Sequence, residues 1–283
     1  MRGVLLCLLL VGCERGSGTK VALRFHPPPG AVYHHTFDQS TSVTSPATGA
    51  LAGPSQDVHL RMYTTQTVKG PEAGGGTEVE IVVDSATMQM PGLPADFASR
   101  LARLRGTRST VVFDDRSRVV RNDFPGVPGA PREVANQVAA VLKGMAYAFP
   151  EQPVARGDSW TVPMELPLEQ LAGNASKAGP AQTRLSVREI RATGADTTVV
   201  LDVETTFPKG PVDLMVAGQR GTMSLSGRMT GYQEFSLSRG TVIEAHITGS
   251  STVHITVASL GVRDMGVVTQ TESSIRLVGT AGK

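Results

Sequence analysis

The chain of 283 residues carries 27 lysines and arginines against 25 aspartates and glutamates, and a net charge of +2 creates no field that would draw in nucleic acid. Aromatic residues make up 5% of the chain, with a single tryptophan, which disfavours an aromatic-lined sugar cleft. Both cysteines, Cys7 and Cys13, stand near the N-terminus, so the remainder can form no disulfide and must be held together by burial of apolar surface.

Arg2 is followed by an apolar run from Val4 to Val11 and then by Gly12 and Cys13. A positive start, a short apolar run and a small residue are the parts of a secretion signal, and the run falls well short of the roughly 20 residues that cross a bilayer. Leu10-Val11-Gly12-Cys13 resembles the lipobox of bacterial lipoproteins. That resemblance implies a signal peptide over 1–12, acylation of Cys13, and a tether over 13–20. In such lipoproteins an aspartate after the cysteine marks retention at the inner membrane. Here Glu14 stands there, which implies the outer membrane, facing the periplasm. Acyl chains contribute about 0.8 kcal/mol per buried methylene, enough for several chains together to hold a domain on a membrane.

Beyond the tether, Val21 to His26 reads as a short strand ended by Pro27-Pro28-Pro29-Gly30. Tyr33 to Val43 and Asp57 to Val68 read as longer strands on either side of a loop, and Gly70 to Gly76 as a turn. In Thr77 to Met88, Val79, Ile81 and Val83 alternate with charged residues, the pattern of a strand with one wet face. Pro94 to Leu104 changes period: Phe97, Leu101 and Leu104 share a helical face and Gly106 suits the exit. Thr110 to Val120 returns to strand as a hairpin turning at Asp114-Asp115-Arg116-Ser117.

A long amphipathic helix is expected over Pro131 to Phe149, with Val134, Val138, Leu142, Met145 and Phe149 at helical spacing. Gly157-Asp158-Ser159-Trp160 then turns the chain into a second run of strands: 183–190, 197–206, 222–237, 241–257 and 267–278. The expected fold is therefore mainly β with α. A large curved antiparallel sheet, half-barrel or barrel-like, carries one long and one short helix on its concave side, in a single domain over 21–283. Similar hairpins at Phe113 to Val120 and Phe235 to Val242 raise the question of two related halves around the helix, although any two hairpins share such features.

Gly157-Asp158-Ser159 resembles the nucleophile motif of a family of serine hydrolases. That family places its serine near the N-terminus and pairs it with Asp-x-x-His, which occurs nowhere in this chain. A serine without a base is not activated, so a serine hydrolase is the remote alternative and no catalytic residue is assigned. With Phe149-Pro150, Val154, Gly30 and Tyr33, the Gly-Asp-Ser-Trp segment resembles a family of uncharacterised envelope lipoproteins, and the architecture resembles unclosed-barrel lipoprotein carriers. These resemblances imply an envelope address and a β-rich fold, with no cofactor.

No zinc or calcium motif is present, and His246 and His254 share the polar face of one strand. Val138, Leu142, Met145, Phe149 and Trp160 are the candidate lining of a cavity or simply a core. Arg100, Arg103, Arg105 and Arg108 form either a solvated face or a contact for anionic headgroups. The expected function is membrane-anchored binding of a lipid or another hydrophobic molecule. The alternative is an assembly lipoprotein that binds a second envelope protein.

Overall fold

The computed structural model of the chain describes residues 19–44, 55–92, 97–123, 147–164, 180–194, 196–207, 210–216 and 219–281. The strands are β1 (Val32–Thr44), β2 (Gln56–Pro71), β3 (Thr77–Gln89), β4 (Arg108–Phe113), β5 (Val119–Asp123), β6 (Ser159–Met164), β7 (Ala181–Thr193), β8 (Asp196–Thr206), β9 (Pro211–Val216), β10 (Gln219–Ser236), β11 (Thr241–Val257) and β12 (Val262–Ala281). All twelve join one antiparallel sheet in the order β5-β4-β3-β2-β1-β12-β11-β10-β8-β7-β6, with β9 also on β10. Hairpins build two runs of strands, and the joint between them sets the first strand against the last. Strands β8 and β9 pair with successive stretches of one side of β10, so together they act as a single strand interrupted at 207–210.

Successive strand residues point to opposite sides, while residues opposite one another in a ladder share a side. Along β1, Tyr33, His35 and Phe37 are buried and the residues between them are only partly so. Register carries that face outward: Phe37 stands opposite Met62 of β2 and Ile275 of β12, and Ile275 stands opposite Ala245 of β11. We refer to it as the apolar face and to its reverse as the polar face.

Between β10 and β11 the apolar face is folded sharply. A Cβ added to Gly231 would lie 1.9 Å from the carbonyl oxygen of His246, and one added to Gly249 would lie 2.4 Å from that of Arg228. Crowding on that side is what a crease toward the apolar face produces, and only glycine tolerates so close an approach.

One end of the sheet is packed shut. The segment 19–30 crosses it, pairing Val21 with Val154 and donating the Phe25 N–H to Asp115 O at 2.8 Å. Arg24 reaches the carbonyl oxygens of Pro150 at 3.1 Å and Glu151 at 2.7 Å, and lies 3.4 Å from the Asp115 carboxylate. Leu23 and Phe149 are buried with Leu185, Leu201 and Phe235, and Phe25 packs on this cluster and on the neighbouring one of Val79, Ile81, Val111 and Phe113. Leu23 and Phe25 thus fasten the two flanks of the sheet together. Burial pushes the Tyr147 hydroxyl up to about 12, which fits a dry interior here.

The expected mixed architecture is corrected by the structure, which is almost all β: the described residues are 71% strand and 4% helix, and no helix of seven residues or more occurs among them. Residues 131–146 of the expected long helix lie outside the described residues, and 147–149 are not helical. Their backbone groups are taken by tertiary partners: Phe149 N–H donates to Arg116 O at 2.8 Å, Phe149 O accepts from Arg116 Nε at 2.7 Å, and Ala148 O accepts from Trp160 Nε1 at 2.9 Å. The short helix forms as α1 (Phe97–Ala102), with Leu101 and Leu104 buried against Phe37, Met62 and Val83 on the apolar face. Val21 to His26 is not a strand but a strap holding one isolated bridge. The two compared hairpins both turn through a left-handed residue, Ser117 in one and Gly240 in the other. Their closing pairs, Phe113 with Val119 and Ser236 with Thr241, enclose turns of unequal length.

Candidate functional site

Away from the packed end the apolar face continues along the strands, but its cover thins. Val43 of β1, Val58 and Leu60 of β2, Leu225 of β10, Val253 of β11 and Val267 of β12 are half-buried. The register places all of them on the face of Phe37 and Ile275. Met88 and Met229 join them half-buried, and Met223 is buried on the same side. No Lys, Arg, Asp or Glu stands on this face in β1, in β2, in β11 from Ala245 to Ile255, in β10 from Gly221 to Gln233, or in β12 from Met265 to Leu277.

Across the middle of the same face runs a band of neutral polar side chains. Gln39 and Thr41 of β1 stand opposite Ser273 and Thr271 of β12, and Thr269 stands opposite Ser251 of β11. Gln39 Nε2 donates to Thr41 Oγ1 at 3.1 Å, Thr41 Oγ1 lies 3.4 Å from Thr271 Oγ1, and Ser251 Oγ lies 2.5 Å from Thr269 Oγ1. Along β1, β11 and β12 the face therefore reads, from packed end to open end, as apolar, neutral polar and apolar again, while Leu60 and Val58 of β2 border the band opposite Gln39 and Thr41.

The polar face holds the charges. Arg228 pairs with Glu204 at 2.9 Å, Arg191 with Glu234 at 2.6 Å and Arg276 with Glu244 at 3.6 Å. Pairs as exposed as these contribute little individually to stability. Lys69 and Arg108 both reach Glu80, and although partial burial opposes it, their hydrogen bonds hold its carboxyl below the usual range. A groove of about 700 Å³ crosses this side, walled by Ser40, Asp57, His59, Arg228, Ser250 and Glu272 among others. Such walls suit water and ions, because an apolar ligand there would leave polar groups without partners. Among the described residues no group of three or more metal-ligating side chains comes together.

The residues singled out from the sequence scatter. Cys13, Val138, Leu142 and Met145 lie outside the described residues. Phe149 is buried edge-on against Phe235 at 4.8 Å between ring centroids, and Trp160 packs on the same cluster, so both fill the packed end. Arg100 lies in α1, Arg103 and Arg105 are exposed beside it, and Arg108 is on β4 with its Nη1 3.0 Å from Glu80 Oε1. Ser159 Oγ accepts from Arg184 Nη2 at 3.2 Å, and arginine takes up no proton from a hydroxyl. His246 lies 3.8 Å from Glu272, and His254 2.8 Å from Asp264. The neutral band escaped the sequence reading. Its trace is there as Thr269, Thr271 and Ser273 between Val267 and Ile275, but the trace acquires meaning only when β1, β11 and β12 are set in register.

No protein-family model matches the chain, and no curated protein sequence matches it. Among solved structures, one of lipovitellin concerned with its lipid–protein interactions superposes with a TM-score of 0.53 at 12% identity. The likeness is one of fold. It covers 90% of this chain but 26% of that one, so the chain spans only about that share of the lipovitellin length. Two further structures match loosely. DynF, from the dynemicin biosynthesis pathway of Micromonospora chersina, gives a TM-score of 0.22 at 9% identity, covering 97% of this chain and 92% of that one. The β domain of the Bordetella autotransporter BrkA gives 0.21 at 10% identity, covering 87% and 98%. At those scores neither carries an argument.

Proposed function

We propose that the chain is an envelope lipoprotein, anchored through acylated Cys13 to the outer membrane, that carries a lipid or another hydrophobic molecule on the apolar face of its sheet and catalyses no reaction. The observation behind this reading is the half-buried continuation of the apolar face through Val58, Leu225, Val253 and Val267, with the charges gathered on the reverse. Covering such surface is worth about 25 cal/mol per Å² of apolar area removed from water, so a ligand of acyl-chain character gains by lying there. The fold shared with lipovitellin, whose own structure concerns lipid–protein interactions, supports a sheet of this kind as a lipid platform. The resemblance of Leu10 to Cys13 to a lipobox supports the address.

Native mass spectrometry of the domain from Glu14 onward, exported to a periplasm without its anchor and purified without detergent, tests the carrier reading. The expected spectrum shows added mass in the range of a lipid. A clean unliganded mass would contradict it and favour the second reading, assembly with another envelope protein. The observation that favours that reading is Val120, 58% exposed on the edge strand β5.

A further inference from the structure

We infer that the ligand of the apolar face is an uncharged amphiphile, a lipid whose polar part is an ester, amide or hydroxyl, and that the neutral band holds that polar part while the flanking zones cover its chains. This rests on the carrier reading above and narrows it. A face meant for pure hydrocarbon would have no use for Gln39, Thr41, Thr271 and Ser273 at its centre, because polar groups under an apolar ligand lose water and gain nothing. A face meant for a carboxylate or phosphate would need a cation, since an ion moved out of water without a partner is costly. These stretches supply none.

The band is also able to bond. Gln39 donates to Thr41, and of the facing hydroxyls of Thr41 and Thr271 only one can donate to the other. The remaining O–H has no acceptor among the described residues and suits a carbonyl oxygen brought by a ligand. On the open side of the band, β12 runs four residues from Thr269 to Met265, or about 13 Å of apolar strand. On the other side stand Ile275, Ala245 and Phe37, so a molecule lying across the band has apolar contact at both ends.

The test uses the full chain, delipidated and loaded with an environment-sensitive fluorescent probe, which is displaced at pH 8 by dioleoylglycerol, by oleate or by hexadecane. Dioleoylglycerol is expected to displace the probe at a concentration at least tenfold below that needed for oleate. Thr41→Val with Thr271→Val keeps β-branched side chains of similar size. It is expected to weaken dioleoylglycerol about tenfold, the loss of one ligand hydrogen bond, and to leave hexadecane bound as tightly or more tightly. Ser251→Ala with Thr269→Val, on the other half of the band, provides a second variant should the first not fold. Oleate binding as well as or better than dioleoylglycerol would overturn this inference and leave the carrier reading standing. Equal weakening of dioleoylglycerol and hexadecane would overturn it too, since the hydroxyls would then be shaping the strands. If no ligand displaces the probe, both readings fall.

Discussion

His35 holds the one side-chain polar atom that is buried without a hydrogen-bond partner among the described residues, its Nδ1. Its Nε2 lies 3.1 Å from Val242 O, which only accepts, so a proton sits on Nε2, and a second proton on the partnerless Nδ1 would have no acceptor. Burial lowers the pKa most, the bond to Val242 opposes this in part, and neighbouring His34 lowers it further. Between an unfolded value near 6.5 and the lower folded one, the unfolded chain binds more protons, so stability rises with pH across that window. The contribution is complete above about pH 6.5 and is lost as pH falls, at up to about 1.4 kcal/mol per pH unit, until the folded pKa is passed. Urea unfolding at pH 7.5 and pH 5 should show wild type losing more stability than His35→Gln. Equal losses in the two proteins would mean that His35 takes up its proton as readily in the folded chain as in the unfolded one.

Among the elements, the pair β10 and β11 has the most particular demand, because the crease needs bare backbone at Gly231 and Gly249. Gly231→Ala places a Cβ where the His246 carbonyl stands and should cost about 2 kcal/mol or more. Gly279→Ala on β12 is the control: its Cβ would meet nothing closer than His34 Cδ2 at 3.5 Å, and its unfolding midpoint should stay unchanged or rise slightly. A Gly231→Ala protein as stable as wild type would show that the crease relaxes freely. Alternation of Val79, Ile81 and Val83 with charged residues made β3 legible from sequence, since one buried face imposes a period of two. The same logic found α1 from Leu101 and Leu104. It misled over Val21 to His26, where the apolar residues fasten the packed end instead of joining a ladder, and at Tyr147 to Phe149, where tertiary hydrogen bonds override a helical pattern.

At the scale of the molecule, the joint of β1 with β12 brings together residues more than 200 positions apart, such as Thr41 and Thr271. Alternation states that each strand has two faces, but it does not state which faces meet, so the sheet was legible and the site was not. Phe149 and Trp160 stood out because large apolar residues always do, and they belong to the packed end. The Ser and Thr residues of the band are ordinary in a strand and become a feature only as neighbours. The account depends on a ligand lying along the apolar face, and the most direct measurement is photocrosslinking of the purified full chain with a diazirine-bearing neutral glycerolipid, mapped by peptide mass spectrometry. Labels are predicted on apolar-face positions of β2, β10, β11 and β12, such as Leu60, Leu225, Val253 and Val267. Labels confined to the polar groove of Asp57, His59 and Arg228, or spread evenly over the surface, would contradict it.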